Sequence, residues 1–198
     1  LTNLQTEAYS LFGYSPKKTL SLAQDIYTAG YISYPRTSSQ KLPPSIDYEK
    51  ILTKLSKHKD YKDLCNKLLS LDNLKPNDGK KTDNAHPAIY VTGEKGRISA
   101  DQKKVYDLIV RRFLATFAEN ALRKTVTAEI KGNGETFLAK GTTTRKKGWH
   151  EFYGSHVRLT ETILPPLKAK DELKSPKITK EDKETSPPKR YTPASILK

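Results

Sequence analysis

The spacing of the apolar residues changes near residue 123, and this change constrains the fold more than any other feature. Upstream, apolar side chains recur at the spacing of amphipathic helices. Downstream, "TVTAEI" (125–130) alternates apolar and polar residues, which is typical of a half-exposed strand. Helices followed by strands predict an α+β fold. We therefore divide the chain into a helical domain (1–122), a β-rich domain (123–188) and the start of a further helix (189–198).

The first helices carry start and stop signals. Thr2 and Gln5 match a capping box, and Gly13 is expected to end the helix that follows. Ser15-Pro16 is a helix-opening pair, and Gly30 is expected to end the second helix.

A long polar segment, Lys75–Gly96, separates two further helical regions. The lysine-rich region 45–70 precedes it, and a helix capped by Ser99 and Gln102 follows it. The segment contains Gly and Pro and has no usable periodicity, which indicates a loop. Long ordered loops in compact domains tend to be functional.

The β-rich region is predicted from short segments separated by Gly-containing turns, namely "ETFLAKGTT", "GWHEFY" and "HVRLTETI". Residues 165–189 are charged and proline-rich, which favours either edge strands with connectors or a mobile linker. Thr192 and Pro193 then have the order of an N-cap and a first helical residue.

The balance of charged residues indicates which class of molecule the chain binds. Lys and Arg number 36 against 22 Asp and Glu, a formal net charge of +14. Such an excess favours binding to a polyanion such as nucleic acid. A lysine-rich surface on a structural scaffold is the alternative.

The number of cysteines, the spacing of histidines and the length of the apolar runs exclude other classes of protein. The single cysteine, Cys65, excludes an internal disulfide framework and a four-cysteine zinc site. The four histidines are scattered, so we predict no metal site. No apolar run is long enough to span a bilayer, which predicts a cytoplasmic protein, associated with the nucleoid if it binds DNA.

The candidate chemistry lies in "AGYISYPRTSSQKLP" (29–43). Pro35 disfavours a helical conformation for Tyr34, so an extended Tyr34 can present its phenol to a cleft. A phenol can attack a phosphodiester and form a phosphotyrosyl ester, provided that a cation stabilises the developing charge. Arg36 is the nearest cation in sequence, and the hydroxyls of Thr37 and Ser38 suit phosphate oxygens.

His86 is the histidine in a plausible site context, because "DNAHPAIY" lies in the long loop. It could donate to a phosphate or transfer a proton. The alternatives remain open at this level: Tyr34 packs in the core or stacks on a base, and His86 caps a loop.

These residues resemble the type IA DNA topoisomerases. "AGYISYPRTSSQKLP" is similar to the segment that holds the nucleophilic tyrosine of that family, in the variant of its archaeal and topoisomerase III members. "NAHPAIYVTG" resembles the segment with the active-site histidine, and "LTNLQTEAYSLFGYSPKKTLSLAQDIY" resembles the helices upstream. "KGWHEFYG", "LPPLKAKDEL" and "SPPKRYTPASILK" match later segments in the same order.

The resemblance implies a helical active-site domain followed by part of the β-rich arch of a toroidal enzyme. It implies that Tyr34 is the nucleophile, that Arg36 positions the scissile phosphate and that His86 assists there. A DNA-contacting helix would carry three further residues, namely Arg190, Thr192 and Ser195. Two positions depart from the family pattern: Ser38 stands where many bacterial members have Asp, and Pro193 stands where Glu is usual.

The resemblance also implies that this chain is the central part of a longer enzyme. It contains no methionine and no D-x-D string, whereas the family binds Mg²⁺ through an acidic toprim domain upstream. We expect the chain to bind single-stranded DNA but not to cleave it alone. Its partners would be the toprim and C-terminal domains, with self-association as a further expectation.

In the parent, we expect transient single-strand cleavage, strand passage and religation that relax negative supercoils. The topoisomerase half of a reverse gyrase and a non-catalytic single-stranded-DNA-binding module are the alternatives.

Overall fold

The computed structural model describes residues 1–94, 96–174 and 176–197. Lys95, Ser175 and Lys198, which fall in the predicted long loop, β-rich region and C-terminal helix, lie outside the described residues. The helices and a small antiparallel sheet form an α+β fold, as predicted. Among the described residues, no helix has both the length and the apolarity needed to cross a membrane.

The chain divides into two compact units. The first comprises Leu1–Ala121, Lys147–Arg158 and the described part of Tyr191–Lys198, and the second comprises Leu122–Lys146 and Leu159–Arg190. The first unit holds every α-helix of the described chain: α1 Thr2–Phe12, α2 Pro16–Thr28, α3 Tyr48–Leu55, α4 Lys62–Leu69, α5 Ala100–Thr116 and α6 Trp149–Tyr153. Two 3-10 helices, Gly154–His156 and Ser195–Leu197, complete it.

The turn between α1 and α2 follows from local sequence signals. Gly13 adopts a φ of 70°, which glycine accepts without a Cβ penalty, and its N–H donates to the Tyr9 carbonyl. The Ser15 hydroxyl accepts from the Lys18 N–H at the start of α2, and Pro16 is the first residue of that helix. Both predictions for this turn are confirmed.

The predicted capping box at Thr2 is wrong. Thr2 is already helical, Leu1 occupies the N-cap position, and no side chain caps the helix. Gln5 is buried, and its Nε2 donates to the Pro16 carbonyl at 3.1 Å instead of reaching back to the helix start. A contact with the α1–α2 turn therefore replaces the expected local cap.

The region 45–70 contains two helices and not one continuous helix. α3 ends at Leu55, and α4 begins at Lys62. The His58 carbonyl accepts from the N–H groups of both Tyr61 and Lys62, which closes the turn between them. The turn lets α3 and α4 pack side by side.

α5 is the central element of the first unit. The predicted capping box is present, since the Ser99 and Gln102 side chains each bond to the other's backbone N–H. α5 packs against α1, α2, α4 and α6. The most deeply buried side chains of this unit include Ile26, Ile32, Leu52, Leu55, Val91, Val105, Leu108, Val110 and Leu114.

A buried polar network ties α5 to the 3-10 helix at His156. Asp107 accepts hydrogen bonds from Tyr61 at 2.9 Å and Arg111 at 3.0 Å, and it lies 2.9 Å from His156 Nε2. Burial favours the neutral acid, but the bonds from His156, Arg111 and Tyr61 prevail and lower the pKa of Asp107. His156 is therefore a structural residue of the described fold.

The strand predicted at "GWHEFY" is wrong, because these residues form α6. Gly148 and Gly154 flank the helix with φ values of 50° and 60°, a region that L side chains rarely enter. Phe152 and Tyr153 are buried, and α6 packs against α5. Trp149, Phe152 and Tyr153 recur at helical spacing, so packing against α5 and the local pattern agree.

The second unit contains one antiparallel hairpin. β1 (Leu122–Gly132) pairs with β2 (Glu135–Lys146), which confirms the strands predicted from "TVTAEI" and "ETFLAKGTT". The strand expected from "HVRLTETI" is reduced to an isolated bridge between Thr142 and Thr162. The described residues of 165–189 form neither helix nor strand.

The C-terminal turn begins as predicted. The Thr192 hydroxyl accepts from the Ser195 N–H at 3.1 Å, and the Ser195 hydroxyl accepts from the Thr192 N–H at 2.7 Å. The described residues that follow form the 3-10 helix Ser195–Leu197, which packs on α1.

Candidate active site

Two segments that are far apart in sequence run side by side in the first unit. Ile32 and Val91 form an antiparallel bridge. The Ser33 N–H donates to the Tyr90 carbonyl at 2.9 Å, and the Ser33 hydroxyl accepts from the Tyr90 N–H at 3.0 Å. At the other end, the Ala88 N–H donates to the Lys41 carbonyl at 2.8 Å. This pairing brings the tyrosine segment and the histidine loop together.

Tyr34 directly follows Ser33 and His86 precedes Ala88 by two residues, so the two side chains meet beside this pairing. Their ring centroids are 4.9 Å apart, with an angle of 42° between the ring planes. Both side chains are partly exposed, and among the described residues the Tyr34 hydroxyl has no hydrogen-bond partner. The phenol oxygen therefore makes no hydrogen bond to a described protein group, and an imidazole lies beside its ring.

The Tyr27 ring lies on another side of Tyr34, with centroids 5.3 Å apart at 67°. Tyr27 is the last tyrosine of α2 and is 38% exposed. The Tyr34 ring thus contacts both a second tyrosine ring and an imidazole. Sequence reasoning did not predict this contact.

Arg36 is exposed and has no hydrogen-bond or ion-pair partner within the described part of the chain. Its guanidinium is available for an anion, because no carboxylate of the described residues neutralises it. Ser38 is also exposed, but its hydroxyl donates to Asp83 Oδ2 at 3.1 Å. Ser38 therefore presents an acceptor lone pair to solvent, because its hydroxyl hydrogen is used in the bond to Asp83.

Thr37 does not present its hydroxyl to solvent. It is 6% exposed, and its hydroxyl donates to the His86 carbonyl at 3.4 Å and accepts from the Ser39 N–H at 3.0 Å. The Thr37 side chain therefore links the backbone of the tyrosine segment to that of the histidine loop.

Asp83 is a residue of this site that sequence reasoning missed. Its Oδ1 accepts from the Ala85 and His86 N–H groups at 3.0 and 3.2 Å. Its Oδ2 accepts from the Ser38 N–H at 3.3 Å as well as from the Ser38 hydroxyl. The "D-N-A-H" order, an aspartate before a loop histidine, was the signal, since Asp often bonds to backbone N–H groups a few residues on.

These bonds also set the charge of Asp83. The Ala85 N–H, followed by the N–H groups of Ser38 and His86 and by the Ser38 hydroxyl, lowers the pKa of Asp83 to about 2. Asp83 is therefore a carboxylate at neutral pH. Its Oδ1 lies 3.9 Å from His86 Nδ1, so a protonated imidazole would have an anionic neighbour.

The three C-terminal candidates are not joined to Tyr34 or His86 by any contact among the described residues. Thr192 and Ser195 bond to each other at the start of the 3-10 helix, in the same unit as Tyr34. Arg190 belongs to the other unit and is exposed.

The described residues contain no group of three or more His, Cys, Asp or Glu side chains that could hold a metal ion. Asp83 Oδ1 lies 3.9 Å from His86 Nδ1, and the hydrogen bonds of Asp83 are all accepted from protein donors. The residues around Tyr34 therefore do not fit a Mg²⁺ site on their own.

Comparison with known proteins decides the family. A family model described as DNA topoisomerase matches residues 1–198, which is the whole chain. The chain belongs to the DNA topoisomerase family. The resemblance to type IA members, drawn from the tyrosine and histidine segments, is confirmed.

Individual topoisomerases show the same relationship. The chain is 47% identical over 201 residues to DNA topoisomerase 1 of Pyrococcus horikoshii, and 49% identical over 200 residues to that of Methanocaldococcus jannaschii. It is 32% identical over 186 residues to DNA topoisomerase 3 of Schizosaccharomyces pombe. The archaeal character expected from the tyrosine segment is confirmed.

The chain spans only part of these topoisomerases. The alignments cover 100%, 100% and 92% of this chain but 29%, 26% and 30% of the three relatives, in the order given. The activity, substrates and partners of a whole topoisomerase are therefore matters of proposal for this chain.

Proposed function

We propose that Tyr34 is the nucleophile of a type IA topoisomerase reaction on single-stranded DNA. The Tyr34 oxygen attacks a backbone phosphorus and forms a 5′-phosphotyrosyl ester, while the bond from phosphorus to the 3′ oxygen breaks. The phenol loses its proton, and the released 3′ oxygen gains one to become a hydroxyl. Attack by that hydroxyl reverses the step and restores the strand, so no nucleotide hydrolysis is needed.

One observation carries this proposal: in a chain of the DNA topoisomerase family, an unbonded phenol lies with its ring 4.9 Å from an imidazole. The two residues are 52 positions apart (86 − 34), so local sequence does not account for their contact. His86 fits the role of proton carrier, because imidazole exchanges protons near neutral pH.

Phosphate recognition is assigned to the exposed groups beside Tyr34. Arg36 has no partner in the described chain and can donate two parallel hydrogen bonds to phosphate oxygens. The Ser38 hydroxyl could turn to DNA only by releasing Asp83. Thr37 is buried, which favours a role in holding the loop. Further DNA contacts are proposed for the C-terminal candidates, namely Arg190, Thr192 and Ser195.

We place this chemistry in a longer enzyme. The hairpin unit would be part of the β-rich arch, whose movement opens the gate for the passing strand, and the cycle would relax negative supercoils. Mg²⁺ enters this proposal only through acidic residues outside this chain, and no step here depends on it. The chain alone is expected to bind single-stranded DNA, helped by its net charge of +14, without cleaving it.

Covalent trapping tests the proposal. The full-length enzyme is incubated with a 5′- or 3′-labelled single-stranded oligonucleotide and Mg²⁺ and then denatured, and labelled protein is sought. We expect an adduct that carries the label located 3′ of the break, with loss of the adduct in Tyr34→Phe. Tyr9→Phe, which removes the hydroxyl of a partly buried tyrosine in α1, is the matched control and should keep the adduct.

The same experiment separates the alternatives. A Tyr34→Phe variant that still forms the adduct would overturn the proposal. No adduct from any variant, with intact DNA binding, would favour a binding module in which the Tyr34 ring stacks on a base. An adduct that depends on Tyr34, together with supercoiling that requires ATP, would indicate the topoisomerase half of a reverse gyrase.

A further inference from the structure

The carboxylate of Asp83 joins the two loops that carry the candidate catalytic residues. One oxygen, Oδ1, bonds to the backbone of the histidine loop itself. The other oxygen, Oδ2, bonds to the backbone and the hydroxyl of Ser38, which lies 45 residues earlier in the chain. Asp83 therefore belongs to the histidine loop and fixes the loop that follows Tyr34.

We propose that Asp83 is a positioning residue that holds the His86 imidazole against the Tyr34 phenol and sets the conformation of the Arg36–Ser38 loop. This proposal rests on the proposed function for its catalytic consequence. Its geometric content, the contact between the two rings, stands independently of any reaction. No contact of Asp83 with substrate is implied.

Backbone bonds also join the two loops: the Ala88 N–H donates to the Lys41 carbonyl and the Gln40 N–H donates to the Lys81 carbonyl, each at 2.8 Å. The Thr37 hydroxyl reaches the His86 carbonyl at 3.4 Å, which is long for a hydrogen bond from a hydroxyl. The bonds of Ser33 to Tyr90 lie on the Val91 side of the contact. On the other side of His86, the bonds from Ser38 to Asp83 hold the loop, and they are charge-assisted and therefore stronger than neutral ones.

A carboxylate suits this position for a chemical reason. All four groups aimed at Asp83 are donors, three of them backbone N–H groups and the fourth the Ser38 hydroxyl. Asparagine could keep the Oδ1 bonds to Ala85 and His86, but its NH₂ group would face the Ser38 N–H. Asp83→Asn therefore preserves the local turn and breaks the side-chain link to Ser38, while the backbone bonds of Gln40 and Lys41 to the histidine loop remain.

The first arm of the test measures ring geometry without any reaction. NMR of the isotope-labelled chain measures the chemical shifts of the His86 ring protons, which the ring current of Tyr34 displaces. The same shifts in Tyr34→Leu give the reference value without the Tyr34 ring. We expect cross-peaks between the two rings in the unmodified chain, and loss of both shift and cross-peaks in Asp83→Asn. Asp72→Asn is the control, because Asp72 is exposed and has no hydrogen-bond or ion-pair partner in the described residues.

The second arm measures single-turnover cleavage by the full-length enzyme. We expect Asp83→Asn to lower the rate of adduct formation roughly 10- to 100-fold, as for a misplaced catalytic group, with unchanged affinity for the oligonucleotide. Ser38→Ala should lower the rate less, because the Ser38 N–H still reaches Oδ2. The double variant should be no slower than Asp83→Asn, since both changes break one link.

The outcomes are distinguishable. Ring contacts that persist in a folded Asp83→Asn chain would overturn the positioning role, whatever the activity. Ring contacts that disappear while the cleavage rate stays unchanged would overturn its catalytic consequence. A third outcome is that the ring contacts depend on Asp83 but the Tyr34→Phe variant still forms adducts. This outcome would support the geometry and overturn the proposed function. If Asp83→Asn fails to fold, Ser38→Ala replaces it, and unchanged ring contacts and rate in that variant would count against the proposal.

Discussion

The ring of Tyr34 lies 4.9 Å from the ring of His86, although the two residues come from different loops. The angle between the ring planes is 42°, and both side chains are partly exposed. In the proposed reaction, cleavage must take a proton from the phenol and give one to the leaving oxygen, which is the role proposed for His86. This relationship leads to the first prediction.

His86→Gln should slow cleavage of single-stranded DNA by roughly 10²- to 10⁴-fold, the range of general acid–base catalysis. Glutamine keeps hydrogen-bonding capacity but cannot carry a proton, so DNA affinity should change little. Single-turnover adduct formation and a separate binding titration measure the two quantities. The matched control, His150→Gln in α6, should keep the normal rate, and an equal loss in both variants would indicate a general folding defect.

Arg36→Ala should lower the salt dependence of single-stranded DNA binding. Each phosphate contact contributes about 0.7 to the slope of log K against log salt on single strands. Because Arg36 is exposed and has no partner in the described residues, we expect the slope to fall by about this amount.

Arg36→Lys separates charge from geometry. Lysine keeps the charge, so the salt slope should stay the same, but it lacks the planar fork that binds two phosphate oxygens. The cleavage rate of this variant should therefore fall. A full cleavage rate in Arg36→Lys would mean that charge alone suffices at this position.

Local chemistry made several features predictable. Ser15-Pro16 and Gly13 form the α1–α2 turn as expected, because caps and positive-φ glycines act within a few residues. Tyr34 and His86 were paired through family resemblance, and the backbone bonds between their segments show why they meet. The sequence therefore indicated that the Tyr34 and His86 segments lie together, while the roles of these residues stay a prediction.

Long-range packing accounts for what could not be predicted. The segment "GWHEFY" was predicted as a strand, yet its aromatic residues recur at helical spacing and Phe152 and Tyr153 are buried in α6, which packs against α5. Thr37 looked like a phosphate ligand, but its hydroxyl is used by Ser39 and His86. No spacing rule reveals a bond between Asp83 and Ser38, because the intervening chain decides whether they meet.

Acid should weaken the hydrogen bonds to the Asp83 carboxylate over a defined range of pH. The pKa of Asp83 is lowered from 3.8 to about 2, chiefly by the Ala85 N–H, so the folded state favours the carboxylate. Its contribution to stability is then fully present above the unfolded value, near pH 4, and is lost as the pH falls toward 2.

Urea unfolding of the chain and of Asp83→Asn at several pH values tests this window. The difference in unfolding free energy should be constant above about pH 5. It should shrink as the pH drops from 4 to 2, because the native aspartate is then protonated. A difference that shrinks already between pH 7 and pH 5 would contradict the assignment.

Gly93 lies just after the residues that pair with the tyrosine segment, at a point where the chain passes close to α3. Its φ is 79°, and a Cβ at this position would lie 2.7 Å from Lys54 Cβ and 3.0 Å from the Ile51 carbonyl oxygen. Gly93→Ala should therefore destabilise the chain by at least the cost of a left-handed L residue, about 1–2 kcal/mol. Gly132→Ala is the control, since no atom lies within 4 Å of its Cβ position. Urea unfolding should show a large loss for Gly93→Ala and little for the control, and equal losses would refute the close approach of Gly93 to α3.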